Sequence, residues 1–186
     1  MVRHRGNGHM SNMSFRMMSV IHDNPLRRLI DSPENTLRAA GVQAGQTILE
    51  VGPGPGFFTA PAARMAGARG FLYAVDIHPL AIRMVEDKVA KSGLTNVRVL
   101  QADAANTGLP DGSIDIALLF GVVATLPLDR VLLELNRVLK DGGTVAIQAF
   151  PNWPVDRVTT GGTFAYLGRR RGLYLFEKHA KGGNHA

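Results

Sequence analysis

Cysteine is absent from all 186 residues, which excludes a disulfide framework, a thiolate zinc site and a cysteine nucleophile. The six histidines show no paired metal-ligand spacing of the His-Glu-x-x-His kind, so no metal site is expected. No apolar run approaches the roughly 20 residues that span a bilayer. The basic N-terminus is not followed by the continuous apolar stretch and small-residue cleavage site of a secretory signal. A cytoplasmic location without a membrane partner is the resulting expectation. Aromatic residues are sparse at 6% and charged residues make up 19%, against 45% apolar, the balance of a globular chain that can bury one core without staples. The net charge of +6 is uneven, with +3 over residues 1–46, −1 over 47–150 and +4 over 151–186. Basic ends around a neutral middle are compatible with nucleic acid or another anionic partner, although simply solvated ends are the commoner outcome.

Residues 1–14, rich in Gly, Asn, His, Ser and Met without periodicity, read as a disordered leader, and 181–186 as a tail. Between them one domain is expected over 15–180: an N-terminal helical cap (15–46), a ligand-binding core (47–150) and a C-terminal hairpin (151–180). In the cap, near-helical apolar spacing interrupted by Pro25 predicts one or two short helices. Ser32-Pro33-Glu34 then predicts an N-cap with proline in the first turn, opening a helix that Gly41 closes. From residue 47, apolar runs at 47–51, 71–75, 97–100, 114–120 and 144–150 alternate with amphipathic stretches at 59–65, 79–91 and 128–139. Strands alternating with helices predict a parallel sheet covered on both faces, and the unbroken apolar run at 114–120 suits a strand buried on both sides. Two β-prone runs, 163–168 and 173–177, flank Arg169-Arg170-Arg171-Gly172 and predict an antiparallel hairpin at the end of the sheet. The expected fold is α/β, a three-layer sandwich around a mostly parallel seven-stranded sheet that ends in an antiparallel hairpin.

The chemistry starts where the first core strand ends, in Glu50-Val51-Gly52-Pro53-Gly54-Pro55-Gly56-Phe57-Phe58. Glycine at every second position lets the backbone take positive φ and approach a ligand where a Cβ would collide. Pro61 cannot donate into a helix, so regular helical bonding is expected to start near Thr59, leaving upstream N–H groups free. A dinucleotide fingerprint needs a third glycine at position 57, but Phe57 stands there, which disfavours a nicotinamide-dependent oxidoreductase. Asp76 ends the second strand, where its carboxylate can accept hydrogen bonds from both ribose hydroxyls of a nucleoside; alone it could be only a helix cap. Ile77 beside it is placed to pack on an adenine face or in the core.

The Gly52-x-Gly54-x-Gly56 pattern preceded by Glu50 resembles motif I of the class I, Rossmann-like S-adenosylmethionine-dependent methyltransferases. The resemblance extends over roughly residues 34–178. It implies S-adenosylmethionine as cofactor, with S-adenosylhomocysteine as product, held by Glu50, Gly52, Pro53, Gly54, Gly56 and Phe57 in the loop, Asp76 and Ile77, Asp103 with Ala104 at the adenine edge, and Phe120. For Asp103, an Asx-turn in a loop is the competing role. Leu135-Asn136-Arg137-Val138-Leu139-Lys140-Asp141-Gly142-Gly143-Thr144 resembles the family's helix, glycine turn and fifth strand, with the glycines turning the chain.

The acceptor side carries no comparable signature. Many enzymes that methylate exocyclic amines have Asn/Asp-Pro-Pro-aromatic after the fourth strand, where this chain has Leu119-Phe120-Gly121-Val122. Arsenic methyltransferases use cysteines, and quinone-type C-methyltransferases often place a histidine where Val123-Ala124-Thr125 stands. The catalytic residue is unknown; His22 is the candidate base over the methyl group, with a surface histidine as the bland alternative. Trp153 between Pro151 and Pro154 is placed to stack on a substrate or to close the sheet edge. Arg169 to Arg171 read as a solvated turn, with phosphate recognition as the sharper alternative. The expected function is methyl transfer to a small-molecule or protein nucleophile, by a monomer or homodimer. The alternatives are a cofactor-binding module without catalysis and, with less support, a nucleic-acid methyltransferase.

Overall fold

The computed structural model describes residues 32–180; the leader, the helices expected over 15–31 together with His22, and the tail at 181–186 lie outside the described residues. Helix α1 (Pro33–Ala40) has Ser32 at its N-cap position and Gly41 at φ 97° closing it, as the sequence predicts. The Ser32 hydroxyl, however, donates to the Glu34 carboxylate instead of capping a backbone N–H.

The chain then alternates β1 (Thr47–Val51), α2 (Thr59–Ala66), β2 (Phe71–Asp76), α3 (Pro79–Lys91), β3 (Val97–Gln101), β4 (Ile114–Phe120), α4 (Leu128–Val138) and β5 (Leu139–Gln148). A one-turn α5 (Asp156–Thr159) and the pair β6 (Phe164–Arg170) and β7 (Leu173–Lys178) complete it. The seven strands form one sheet in the order β3-β2-β1-β4-β5-β7-β6. Pairs β1–β2, β2–β3, β1–β4 and β4–β5 are parallel, whereas β5–β7 and β6–β7 are antiparallel, so the expected architecture is what the chain adopts. Strand order reverses between β1 and β4, and the crevice at such a switch point is where open α/β sheets take ligands.

Strand period divides the core into two layers. One face of the sheet, with Leu49, Val51, Ala117, Leu119, Val145, Ile147, Tyr174 and Phe176, packs on α4 and α5 through Val131, Leu135, Val138 and Val158. The opposite face, with Ile48, Ile116, Leu118, Ala146 and Leu175, packs on α1 to α3 through Leu37, Ala62, Ala63 and Val85. In β4 the four residues Ile116 to Leu119 are fully buried, alternately in the two layers, as a central strand requires. The C-terminal carbonyls of α2 are satisfied from a distance: the Asn96 side-chain amide, just before β3, donates to the Ala63 and Gly67 oxygens at 2.9 and 3.0 Å.

Three boundaries differ from expectation. Gly142-Gly143 do not form a turn ahead of the fifth strand; they sit within β5 at a register break, where the partner of Ile114 is Leu139 and the partner of Ile116 is Thr144. A Cβ on Gly143 would stand 2.8 Å from the Lys140 carbonyl, so the glycine is set by the bulge itself. The strand also stops at Gln148, leaving Phe150 80% exposed. In the final hairpin, Arg169 and Arg170 belong to β6, and the turn is the two-residue Arg171-Gly172, with φ of 47° and 80°. Positive φ at both positions is the type I′ geometry that matches strand twist.

The connection from β3 to β4 is clamped onto α4 by Glu134. This residue is only 6% exposed and accepts from the Thr107 backbone N–H and hydroxyl at 2.8 and 2.6 Å and from Arg137 at 2.7 and 2.9 Å. Arg137 in turn donates to the Leu109 carbonyl. The Arg137 bond holds the Glu134 carboxyl well below its usual range, at about 2, against the opposing effect of burial. A depressed acid stabilises the fold above its unfolded value, near 4.5, and that contribution disappears as pH falls towards 2. Glu134→Gln is expected to cost roughly 1–3 kcal/mol at neutral pH, after allowance for screening at the partly exposed arginine. Thermal unfolding of the two proteins should converge between pH 4.5 and pH 2; a difference independent of pH would remove the charge from the explanation.

Candidate functional site

The glycine turn leaves β1 at the switch point. Gly52 has φ 64°, donates its N–H to the Val75 carbonyl at 2.8 Å, and could carry no side chain, because a Cβ would lie 2.7 Å from a Val122 methyl beyond β4. Gly56, at φ 73°, is closed in by the Thr59 hydroxyl and by Val85 of α3, both 3.3 Å from the position of a Cβ. Gly54 differs: at φ 54°, a Cβ there would meet nothing within 4 Å. Packing within the protein therefore accounts for two of the three glycines, and the third exposes backbone to open space. Helix α2 starts at Thr59, and its first interior bond runs from the Ala62 N–H to the Phe58 carbonyl. Phe57 is buried and meets Phe58 edge-on, which meets Phe120 edge-on at 4.8 Å, so the turn leans on the end of β4.

Three acids stand along the same edge. Glu50, 4% exposed in β1, accepts a hydrogen bond from the Thr59 hydroxyl at 2.7 Å. Burial pushes its carboxyl up to about 7, with the Thr59 bond and nearby Lys88 opposing the rise. Asp76, at the end of β2, accepts from the His78 N–H at 2.8 Å. Burial raises its carboxyl too, against the backbone N–H groups of His78, Gly54 and Ile77, which favour the charged form; the carboxylate therefore faces the open glycine. His78, not Asp76, caps α3, accepting from the Leu80 N–H. Ile77 is 56% exposed, which excludes the core role for it. Asp103 forms the Asx-turn, accepting from the Ala105 N–H at 2.8 Å, and lies 3.8 Å from Arg130 of α4. Ala104 beside it is buried. β-sheet register places all of them together: Val51 pairs with Val75, Asp76 with Gln101, and the Ala102 N–H bonds to the Asp76 carbonyl.

Further along the edge, Phe120 pairs with Gln148, so the segments that follow β4 and β5 leave the sheet from neighbouring positions. Trp153 is half-buried, 5.8 Å from the Tyr174 ring, and its backbone N–H donates to the Tyr174 hydroxyl, so it closes the core at this corner. Four contributors were not singled out from sequence: Thr59 as the partner of Glu50, Val122 as the wall against Gly52, His78 as the cap, and Arg130 beside Asp103. Only His78 had a local signal, a polar residue immediately before Pro79.

Residues 49–147 match the model of a methyltransferase domain family. Over 117 residues the chain is 35% identical to the ubiquinone/menaquinone biosynthesis C-methyltransferase UbiE of Teredinibacter turnerae, covering 62% of this chain and 47% of that protein. It is 33% identical, over the same length and with the same coverage, to UbiE of Escherichia coli. The chain therefore spans about half the length of these curated relatives. Among solved structures, a SAM-dependent methyltransferase from Aquifex aeolicus superposes with a TM-score of 0.73 at 28% identity, covering 91% of this chain and 97% of that one.

The buried Glu50 generates a pH signature. Its raised folded value means that the protein prefers the protonated acid; stability is fully present below about 4.5 and declines as pH rises towards 7. Glu50→Gln, which keeps an acceptor for Thr59, should match the wild type near pH 4.5 and exceed it by roughly 1–3 kcal/mol at pH 8 without cofactor. Denaturant unfolding at the two pH values checks this, and equal stability at pH 8 would mean that Glu50 ionises without cost.

Proposed function

Since the chain belongs to the methyltransferase domain family, we propose that it transfers the methyl group of S-adenosylmethionine to a nucleophile on a small molecule or an exposed protein side chain. The observation that carries this reading is the pairing of an open glycine turn at Gly54 with the Asp76 carboxylate at the switch point of the sheet. When bound, the cofactor supplies a sulfonium-activated methyl carbon, to which the acceptor's lone pair forms a bond as the carbon–sulfur bond gives its electron pair to sulfur.

The residues present fit such a group. The turn from Gly52 to Gly56 with Pro53 offers open space at Gly54 to the amino-acid end, while the Gly52 and Gly56 N–H groups are committed to the Val75 and Pro53 carbonyls. Asp76 uses one oxygen for His78 and has acceptor capacity left for ribose hydroxyls. Ile77, exposed beside it, would cover an adenine face, and Asp103 with Ala104 would border the adenine edge. Glu50, through Thr59, fixes the turn to the start of α2. Phe57 and Phe120 close the site towards β4.

Residues 120–126 and 148–153 contain no Asp, Glu, Lys or His. This supports an acceptor that needs no strong base, a neutral amine or an acidic hydroxyl or carbon acid, whose proton leaves to solvent. The same lack favours one rival, a cofactor-binding module without catalysis; it predicts binding with no label entering any fraction of a cell extract. The similarity to UbiE makes a quinone-type ring carbon a natural first acceptor to assay.

Calorimetry with S-adenosylhomocysteine should show binding to the wild type, and none at millimolar ligand would refute the proposal. Asp76→Ala should weaken that binding by about 1–3 kcal/mol, the scale of a lost charge-assisted hydrogen bond. Unchanged affinity would take the ribose contact away from Asp76.

A further inference from the structure

Strand β7 runs antiparallel to β5, and Leu173 at its start pairs with Gln148 at the end of β5. The tip of the β6–β7 hairpin therefore stands at the same edge of the sheet as the glycine turn and Phe120. Three consecutive arginines occupy that tip, in a segment (151–186) with a net charge of +4. Arg169 lies over the Tyr174 ring at 5.3 Å from its centre. The Tyr174 hydroxyl donates to the Phe150 carbonyl at 3.1 Å and accepts from the Trp153 N–H at 3.0 Å. One side chain thus joins an oriented guanidinium to the segment that follows β5, where Phe150 is 80% exposed. Among the described residues, neither Arg169 nor Arg170 has a carboxylate partner, and both are exposed.

An exposed phenylalanine in the segment tied to Tyr174, and a guanidinium held over the same tyrosine ring, are complementary to a molecule that is apolar along its body and anionic at one end. Guanidinium is the side chain suited to bidentate contact with a carboxylate or phosphate. The sheet also supplies a ruler. With strands about 4.8 Å apart, β7 lies about 10 Å and β6 about 14 Å from β4, measured across the sheet. We infer that the methyl acceptor carries a phosphate or carboxylate that docks on Arg169 at the hairpin tip, on the face of the sheet that Tyr174 shares, while its apolar body crosses Phe150 and the methylated atom stands over the end of β4. This rests on the methyl-transfer reading above and specifies its substrate class: an elongated anionic amphiphile rather than a neutral one.

The test uses the full-length protein saturated with S-adenosylhomocysteine and titrated with monomeric decyl phosphate, decanoate, decanol and decyltrimethylammonium. The two anions should bind at least tenfold more tightly than decanol, and the cation not measurably; the stronger of the anions identifies phosphate or carboxylate as the natural group. Arg169→Gln should remove that tenfold preference, whereas Arg169→Lys, and Arg170→Gln on the opposite face, should keep most of it, with S-adenosylhomocysteine affinity unchanged in all three. Equal binding of decanol, or an undiminished preference in the glutamine variant, would overturn the inference. So would tighter binding of a single-stranded oligouridylate than of decyl phosphate, which would point to nucleic acid. Loss of S-adenosylhomocysteine binding by the wild type would instead bring down the methyl-transfer reading itself, and so is distinguishable.

Discussion

The crossing of the two loops that leave β1 and β4 is the constraint on which the rest depends. Gly52 has no room for a side chain because a Val122 methyl occupies that place, and its N–H is committed to the Val75 carbonyl. Three neighbouring strands are thereby locked together at their ends, within one hydrogen bond and one van der Waals contact. The turn that follows has nowhere to go but outward over the edge of the sheet, which is why Gly54 opens to solvent while Gly56 is folded back under α3. Asp76 follows Val75 directly, so the bond that positions Gly52 also positions the carboxylate. Steric exclusion on one side of the loop is thus matched by open space on the other.

The sheet and its flanking helices were legible in the sequence because the two periodicities differ so clearly in the middle of the chain. The run at 114–120 has no polar residue but Asp115, and the hairpin signal around Arg171-Gly172 is local. Gly142-Gly143 look like a turn when read along the chain, but besides the Lys140 carbonyl three residues back, the Asp115 carbonyl of β4 stands 3.3 Å from where a Gly143 Cβ would lie, a contact across the ladder that no local window contains. Of the site, the residues that carry the resemblance were legible, and their partners were not. That Glu50 is buried and shares Thr59, or that Arg130 approaches Asp103 from α4, follows from how helices lie on the sheet. Trp153 shows the reverse problem: its sequence context allows a stacking role, and its packing against Tyr174 appears only when the last hairpin is in place.

The similarity to known proteins is distributed in the same way. The family match ends at residue 147, within β5, and the curated relatives align over 117 residues that make up under two thirds of the chain. What lies beyond is the segment around Phe150 and the hairpin of arginines. The matched stretch holds the glycine turn, Asp76 and Asp103, whereas Phe150 and the arginine hairpin lie beyond it.

Strand β6 is the open margin of the sheet, with a row of backbone donors and acceptors facing outward. Its pairing with β7 breaks between Tyr166 and Gly168, so Leu167 is left over and Gly168 takes φ 117°. A strand arriving from another molecule would find the hydrogen-bonding rhythm lost halfway along and two arginine charges at the far end. The bulge therefore acts as a stop to sheet growth: it lets an exposed tyrosine and leucine sit on a free border without turning that border into a template for fibrils.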